Sequence, residues 1–365
     1  MRKTLISLAV LGAVAGVAHA QSSVAIYGIV DTGYIKETGR DARMGSNLDN
    51  LIGFRGGEDL GGGLKATFEL ERRFNLNDGT LNNTGAVPRY AGESSSGPDW
   101  DGAANFGLTG DFGQIRFGYL NALNTETIRE FDPFRQYGVG SMVWSTQRTE
   151  GIANSVRYDS PNWGGFSFGL TYSLGQNNKA PAQWAYQGQD NDGWGINLSF
   201  DNGPLALTGN FSRLADSDNS QVWNLGAAYR FGSARVSLLY ENTRDKGWIL
   251  GEPSNIVGWV EGDPENSARS RQQTWLLGLE WGIGPGEIDA SVQYFRLKDA
   301  QGMEEAGSLS NWKYAVGYTY NLSKRTSAYA QAAYIDYKEE AVGRFYHGLD
   351  RSSVTAFQIG MNHKF

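Results

Sequence analysis

No cysteine occurs anywhere in the 365 residues, which excludes disulfides, thiolate nucleophiles and cysteine-ligated metals at a stroke. Histidine is almost as scarce: His19, His347 and His363 are the only three. None of them belongs to a metal-binding spacing or an evident nucleophile–base pair. The stretch "GGEDLGGG" (56–63) lacks the Gly-Lys-Ser/Thr of a phosphate loop and reads as a turn. Glu69 and Glu71 stand at i and i+2, which on a strand merely places two carboxylates on one face. The segment Asp190-Asn191-Asp192-Gly193 lacks the full spacing of a calcium loop. No catalytic residue, cofactor or metal site is therefore expected. Positive charge is also in short supply, with 32 Lys+Arg against 39 Asp+Glu and no basic run, so nucleic acid is a poor candidate partner.

Long apolar runs are missing as well, with one exception at the start. "MRKTLISLAVLGAVAGVAHA" has a basic head (Arg2, Lys3), an apolar stretch too short to span a bilayer, and Ala18-His19-Ala20. This is the form of a cleaved export leader over 1–20, leaving a single domain over 21–365. Loss of Arg2 and Lys3 takes the net charge from −7 to −9. Beyond the leader no stretch approaches the roughly 18 apolar residues of a transmembrane helix. A membrane location then requires a closed β-barrel, the other structure that satisfies its own backbone in lipid.

What the chain does have is glycine and aromatics: 49 Gly, 18 Tyr, 17 Phe and 11 Trp, against 9 Pro, at a mean hydropathy of −0.43. Apolar and polar residues alternate with period 2 from end to end, as in "LKATFELE", "FSFGLTYSL", "TWLLGLEWGI" and the terminal "VTAFQIGMNHKF". Tight turns rich in Gly and Asn (61–63, 111–113, 161–165, 201–204, 231–233, 284–286, 323–325) alternate with long polar connections. About sixteen strands of about ten residues result, with all short turns at one rim and all long loops at the other.

Alternation alone fits both a soluble sandwich, whose apolar face is a core, and a membrane barrel, whose apolar face meets lipid. Three features favour the barrel. Aromatics cluster near strand ends (Trp163, Trp194, Trp223, Trp275, Trp281, Trp312, Phe365), and charges recur along the polar faces (Lys65, Glu69, Glu71, Arg116, Arg157, Asp289, Lys313). Both termini are strands, so the last can pair with the first and leave no edge. The competing reading is an exported all-β glycan-binding module or hydrolase, which detergent-free solubility would reveal.

Several stretches resemble the trimeric porins of Gram-negative bacteria, in their beta-proteobacterial branch. They are "SSVAIYGIVDTGY" at the mature start, "IGFRGGEDLGGGLKATFELE" (52–71), "LTGDFGQIRFG" (108–118), "NSVRYDSPNWGGFSFGLTYS" (154–173), "YNLSKRTSAYAQAAY" (320–334) and the terminal Phe365. The resemblance implies a 16-stranded antiparallel transmembrane barrel with short periplasmic turns and long external loops. It implies three copies per assembly in the outer membrane, among lipid and lipopolysaccharide, passing ions and small hydrophilic solutes. A third external loop, here about 122–153, would fold inward and narrow the pore. Glu126, Glu130 and Asp132 are then the expected acidic side of the constriction, facing Arg55, Lys65, Glu69, Glu71, Arg73, Arg116 and Arg157 on the wall. Phe365 looks like the signal read by the barrel-assembly machinery.

The sequence departs from the family where arginines are common. Leu51 shares a face with Arg55, Tyr119 follows "IRFG", and Gly102 and Gly151 fall near two further arginine positions. Fewer wall cations beside an acidic loop favour weak anion selectivity or cation selectivity. Leu51, Tyr119, Phe131, Phe134 and Trp144 also raise the narrower possibility of a preference for aromatic or uncharged solutes.

Overall fold

A computed structural model describes residues 23–81, 100–142, 151–174, 192–213, 221–245, 270–298, 308–338 and 351–365. The expected leader, Trp144, His347 and the first half of the Asp190–Gly193 segment lie outside them. The strands are β1 (Ser23–Glu37), β2 (Arg43–Gly45), β3 (Leu51–Gly61), β4 (Leu64–Arg73), β5 (Ala103–Gly110), β6 (Gly113–Asn121), β7 (Gly151–Asp159), β8 (Phe166–Ser173) and β9 (Gly193–Asn202). They continue as β10 (Leu205–Arg213), β11 (Gln221–Phe231), β12 (Ala234–Asp245), β13 (Ser270–Ile283), β14 (Gly286–Lys298), β15 (Ser308–Asn321), β16 (Thr326–Asp336) and β17 (Ser353–Lys364). One helix, α1 (Leu123–Phe131), follows β6.

From β3 onward every strand pairs antiparallel with the next in sequence, and β17 pairs with β1 from Ile29↔Lys364 to Glu37↔Ala356, which closes the sheet. The short β2 and the longer β3 both lie on the other edge of β1, at Gly33–Ile35 and Ser23–Ile29 respectively. They form one interrupted strand, so sixteen positions go round the barrel. Between them residues 46–50 leave the ladder, and Asp31 fills the gap by accepting the Asn47 N–H (2.7 Å) while its own N–H donates to Asn50 Oδ1 (2.5 Å). The expected short turns all sit at one rim. Gly203 and Gly232 adopt φ of 63° and 61° there, a conformation that side-chain-bearing residues rarely hold.

The two faces differ as the alternation requires. Ile26 and Ile359 are each 62% exposed on the outside, whereas the opposite face of the sheet carries buried Asp31, Glu241, Gln293, Lys313 and Gln358. No second layer covers the apolar face among the described residues, and α1 lies on the opposite, polar side. That arrangement removes the soluble-sandwich alternative. Tyr27 points inward, where its hydroxyl donates to Glu69 and Glu71.

Aromatic contacts ring the long-loop end through Trp194–Phe211 (5.3 Å), Trp223–Tyr240 (5.0 Å), Tyr240–Trp275 (5.0 Å), Trp275–Tyr294 (5.5 Å) and Tyr294–Trp312 (4.8 Å). Phe166–Phe200 and Tyr229–Phe231 do the same at the short-turn end. Amphipathic rings at both levels mark the two water–lipid interfaces of a membrane barrel. Phe365 completes the seam: its N–H donates to Gly28 O (3.1 Å), and Gly28 N–H donates to its carbonyl (3.2 Å).

Candidate functional site

The polar face of the barrel is crossed by residues 122–142, and the wall is built to receive them. Helix α1 begins after Ala122 without a side-chain cap and buries Leu123, Asn124, Thr125, Thr127, Ile128 and Phe131. Wall glycines stand where the segment comes closest. A Cβ on Gly226 would meet the Phe131 ring at 2.9 Å, one on Gly278 would meet Pro133 at 2.5 Å, and one on Gly317 would meet Phe134 at 3.0 Å. Each of these glycines takes an inward register position, opposite Thr208, Ser237 and Asp289 respectively. Two apolar patches on the otherwise polar wall complete the seat. Ile128, Phe131 and Met142 join Ala228, Leu239 and Leu276, while Phe134 and Val139 join Ile35, Ala315, Ala333 and Ala356.

Side chains from the wall then take up the backbone of the segment. Ser237 Oγ donates to Phe131 O (2.8 Å), Arg235 Nη1 to Glu130 O (3.0 Å) and Gln293 Nε2 to Gly140 O (3.1 Å); Lys313 Nζ donates to Ser141 O. Val139 and Gly140 N–H donate to the side-chain oxygens of Gln358 (3.1 Å) and Gln331 (3.3 Å). Gln331 in turn donates to Asn47 (3.0 Å), and Tyr329 OH to Asp31 (2.7 Å), which ties the 46–50 excursion to the same anchorage.

The expected acidic residues take three different positions. Glu126, half-exposed, pairs with Arg157 (2.7 Å). Glu130 is exposed. Asp132 departs from the expectation of a carboxylate offered to the pore: it is 1% exposed and turned back on its own segment. It accepts N–H bonds from Phe134 (3.1 Å), Gln136 (3.0 Å) and Met142 (2.8 Å). Burial pushes its carboxyl above the ordinary range, and those three donors with the nearby Lys313 ammonium oppose that rise.

All seven expected wall residues face inward by register, but few of the cations are unopposed. Arg116 pairs with Asp159 (2.7 Å), and Arg157 with both Glu126 and Asp159 (2.8 Å). Arg73 is buried against Asp49 (3.1 Å) and donates to Asp101 O (2.7 Å), so its charge is withdrawn into the wall. Arg55 lies 4.7 Å above the Tyr27 ring, and Lys65 is exposed near the short-turn rim, opposite Asp59. Glu69 and Glu71 share the Tyr27 hydroxyl proton at 3.0 and 2.8 Å, with Asn105 donating to Glu69 (3.4 Å). The positions noted for missing arginines are filled by small or neutral groups: Leu51 shares the inward face, a Cβ on Gly102 would meet Glu71, and the Tyr119 ring occupies the space beside Gly151.

Sequence reading missed the Arg235–Glu280 pair (2.6 Å), the role of Lys313 and the glutamines at 293, 331 and 358. The available signals were interior glycines in strands and apolar residues in the polar phase, both of which mark a close approach by another backbone.

Comparison with known proteins agrees with this architecture. Residues 7–340 match the family described as Gram-negative porin. The chain is 30% identical to outer membrane porin protein 32 of Delftia acidovorans and 29% identical to an outer membrane porin protein of Bordetella pertussis, in both cases over the whole of each protein. It superimposes on the anion-selective porin from Comamonas acidovorans with a TM-score of 0.71 at 24% identity, covering 94% of this chain and 100% of that one. These relatives are channels rather than enzymes. A closed barrel with a lipid-facing apolar exterior, a polar interior and this kinship lead to one conclusion: the chain belongs to the Gram-negative porin family and is a channel protein of the outer membrane.

Proposed function

We propose that the channel passes ions and small hydrophilic solutes passively, that residues 122–142 form its constriction, and that it favours cations or discriminates only weakly. The observation that carries the charge preference is the pairing of the wall arginines. Arg73, Arg116 and Arg157 each have a carboxylate partner, while Glu69, Glu71 and Glu130 form no ion pair among the described residues. A narrow, partly desolvated passage selects by its unopposed charge. Anion selectivity, the property for which the Comamonas protein is named, is the opposing reading.

Reversal potentials across a KCl gradient decide between the two. Potassium permeability above that of chloride, or at most a slight chloride preference, is expected, and a clear chloride preference overturns the proposal. In the Glu126→Gln variant one partner of Arg157 is lost while Asp159 remains, so the permeability ratio is expected to move toward chloride without reversing fully. An unchanged ratio would remove Glu126 from the selective region.

Three copies per assembly, the arrangement named for a form of OmpT from Vibrio cholerae, complete the proposal. Phe365 is assigned a role in assembly, through the barrel-assembly machinery, because its ring lies outward at the seam beside Gly28. Deletion of Phe365 is expected to lower the amount of barrel in outer membranes while leaving the conductance of inserted channels unchanged. Normal membrane levels of the deleted protein would refute that role.

A further inference from the structure

The wall bonds the later part of the inward segment at 2.8–3.1 Å through Ser237, Arg235 and Gln293, whereas the start of α1 meets the Asn224 amide at 3.4 Å. The groups beneath that start are left incomplete. They are Asn124 on α1, Asn224 on β11, and Glu241 and Thr243 on β12, each at most 1% exposed. Asn224 stands directly opposite Glu241, and Glu241 directly opposite Thr274 on β13. Asn224 Nδ2 donates to Asn124 O (3.4 Å) and to Glu241 Oε2 (3.3 Å), both at the long limit of a hydrogen bond.

Four oxygens of this group have no hydrogen-bond partner among the described residues: Glu241 Oε1, Asn224 Oδ1, Asn124 Oδ1 and Thr243 Oγ1. The Asn124 amide nitrogen is unpartnered as well. A buried polar atom without a partner is destabilising, and a buried carboxylate without a counter-charge is more so. Glu241 forms no ion pair among the described residues. Arg235, the next inward cation on its strand, is about 20 Å away and already bonded to Glu280. Asn224 and Thr274, on either side of the carboxylate, are neutral.

These orphaned oxygens belong to neighbouring side chains, yet none bonds to another, so the group that completes them lies between them. One carboxylate among amide and hydroxyl oxygens matches an ion of single positive charge that takes lone pairs from several oxygens at once. A divalent ion would leave one charge uncompensated, and calcium ordinarily draws about six or more oxygens.

We propose that a monovalent metal cation, Na⁺ or K⁺, binds behind the start of α1, held by Glu241, Asn224, Asn124 and Thr243, and fastens the helix to β11 and β12. The assignment rests on the seating of α1 against the wall and not on the charge preference of the pore.

The test uses the full-length protein and thallium(I), an electron-rich substitute for K⁺ that anomalous scattering locates. Crystals of wild type and Glu241→Gln are soaked in thallium(I) nitrate. A peak in contact with Glu241 Oε1 and at least one of the two asparagine oxygens is expected in the wild type. Its loss is expected in Glu241→Gln, which keeps the shape of the side chain and removes its charge. A wild-type map without thallium beside Glu241 overturns the proposal, as does a peak of full height in the variant. If the variant folds poorly, the wild type alone decides through its thermal unfolding midpoint, followed by tryptophan fluorescence in a non-ionic detergent. That midpoint is expected to be higher in KCl than in choline chloride of equal ionic strength, because choline is too large for a buried site. Equal midpoints overturn the proposal, and stabilisation by CaCl₂ but not by KCl overturns it in favour of a divalent ion.

Discussion

Replacing Asp132 by alanine is expected to raise single-channel conductance and open-channel noise while leaving the barrel folded. The Asp132 carboxylate satisfies the backbone N–H groups of Phe134, Gln136 and Met142, all inside the segment that crosses the interior. A buried donor without an acceptor costs ~1–3 kcal/mol, and three of them are enough to shift a seated-versus-released equilibrium by about two orders of magnitude. The ladder itself does not pass through Asp132, so heat-modifiable gel mobility is expected to stay near that of the wild type. Asp132→Asn keeps an acceptor oxygen and is expected to fall between the two. Conductance and noise indistinguishable from the wild type in Asp132→Ala would show that the apolar contacts of Phe131, Phe134 and Met142 alone hold the segment in place.

The second large effect is expected at the closing seam. Gly33 faces Gly360 across β1 and β17, and a Cβ on Gly33 would run into the Ile359 carbonyl oxygen and come within 2.7 Å of the Gly360 Cα. Those are backbone atoms, which cannot swing aside as a flexible side chain can. Gly33→Val is therefore expected to open the seam and leave most of the protein unfolded or aggregated, because an unclosed barrel exposes unpaired strand edges to lipid or to other copies. Gly57→Ala is the matched control: a Cβ there meets Ala66 O at 3.4 Å, an ordinary contact, on the β3–β4 ladder. Folded yield measured by gel mobility and far-ultraviolet circular dichroism should fall steeply for the first variant and little for the second. Comparable yields for both would show that the seam relaxes around a side chain.

Period-2 alternation, turn chemistry and the terminal aromatic strand determined the barrel, its two rims and its inward and outward faces. These properties are local: a strand's pleat assigns each side chain to a face whatever its partner. The sequence also determined that Lys65, Glu69, Glu71, Arg116 and Arg157 share the interior. It could not determine which of them keep an unopposed charge, because the Arg157–Glu126 and Arg73–Asp49 pairs join groups separated in the chain and meet only when strands and segments converge. The same limit applies to Asp132, whose identity marks an acid but whose surroundings turn it into an internal acceptor. Likewise, Arg213, Arg244, Arg271 and Lys298 are scattered along the chain and fall on one row across β10–β14 only through register. Face is a property of the strand, but charge balance is a property of neighbours, and neighbours are chosen by tertiary pairing.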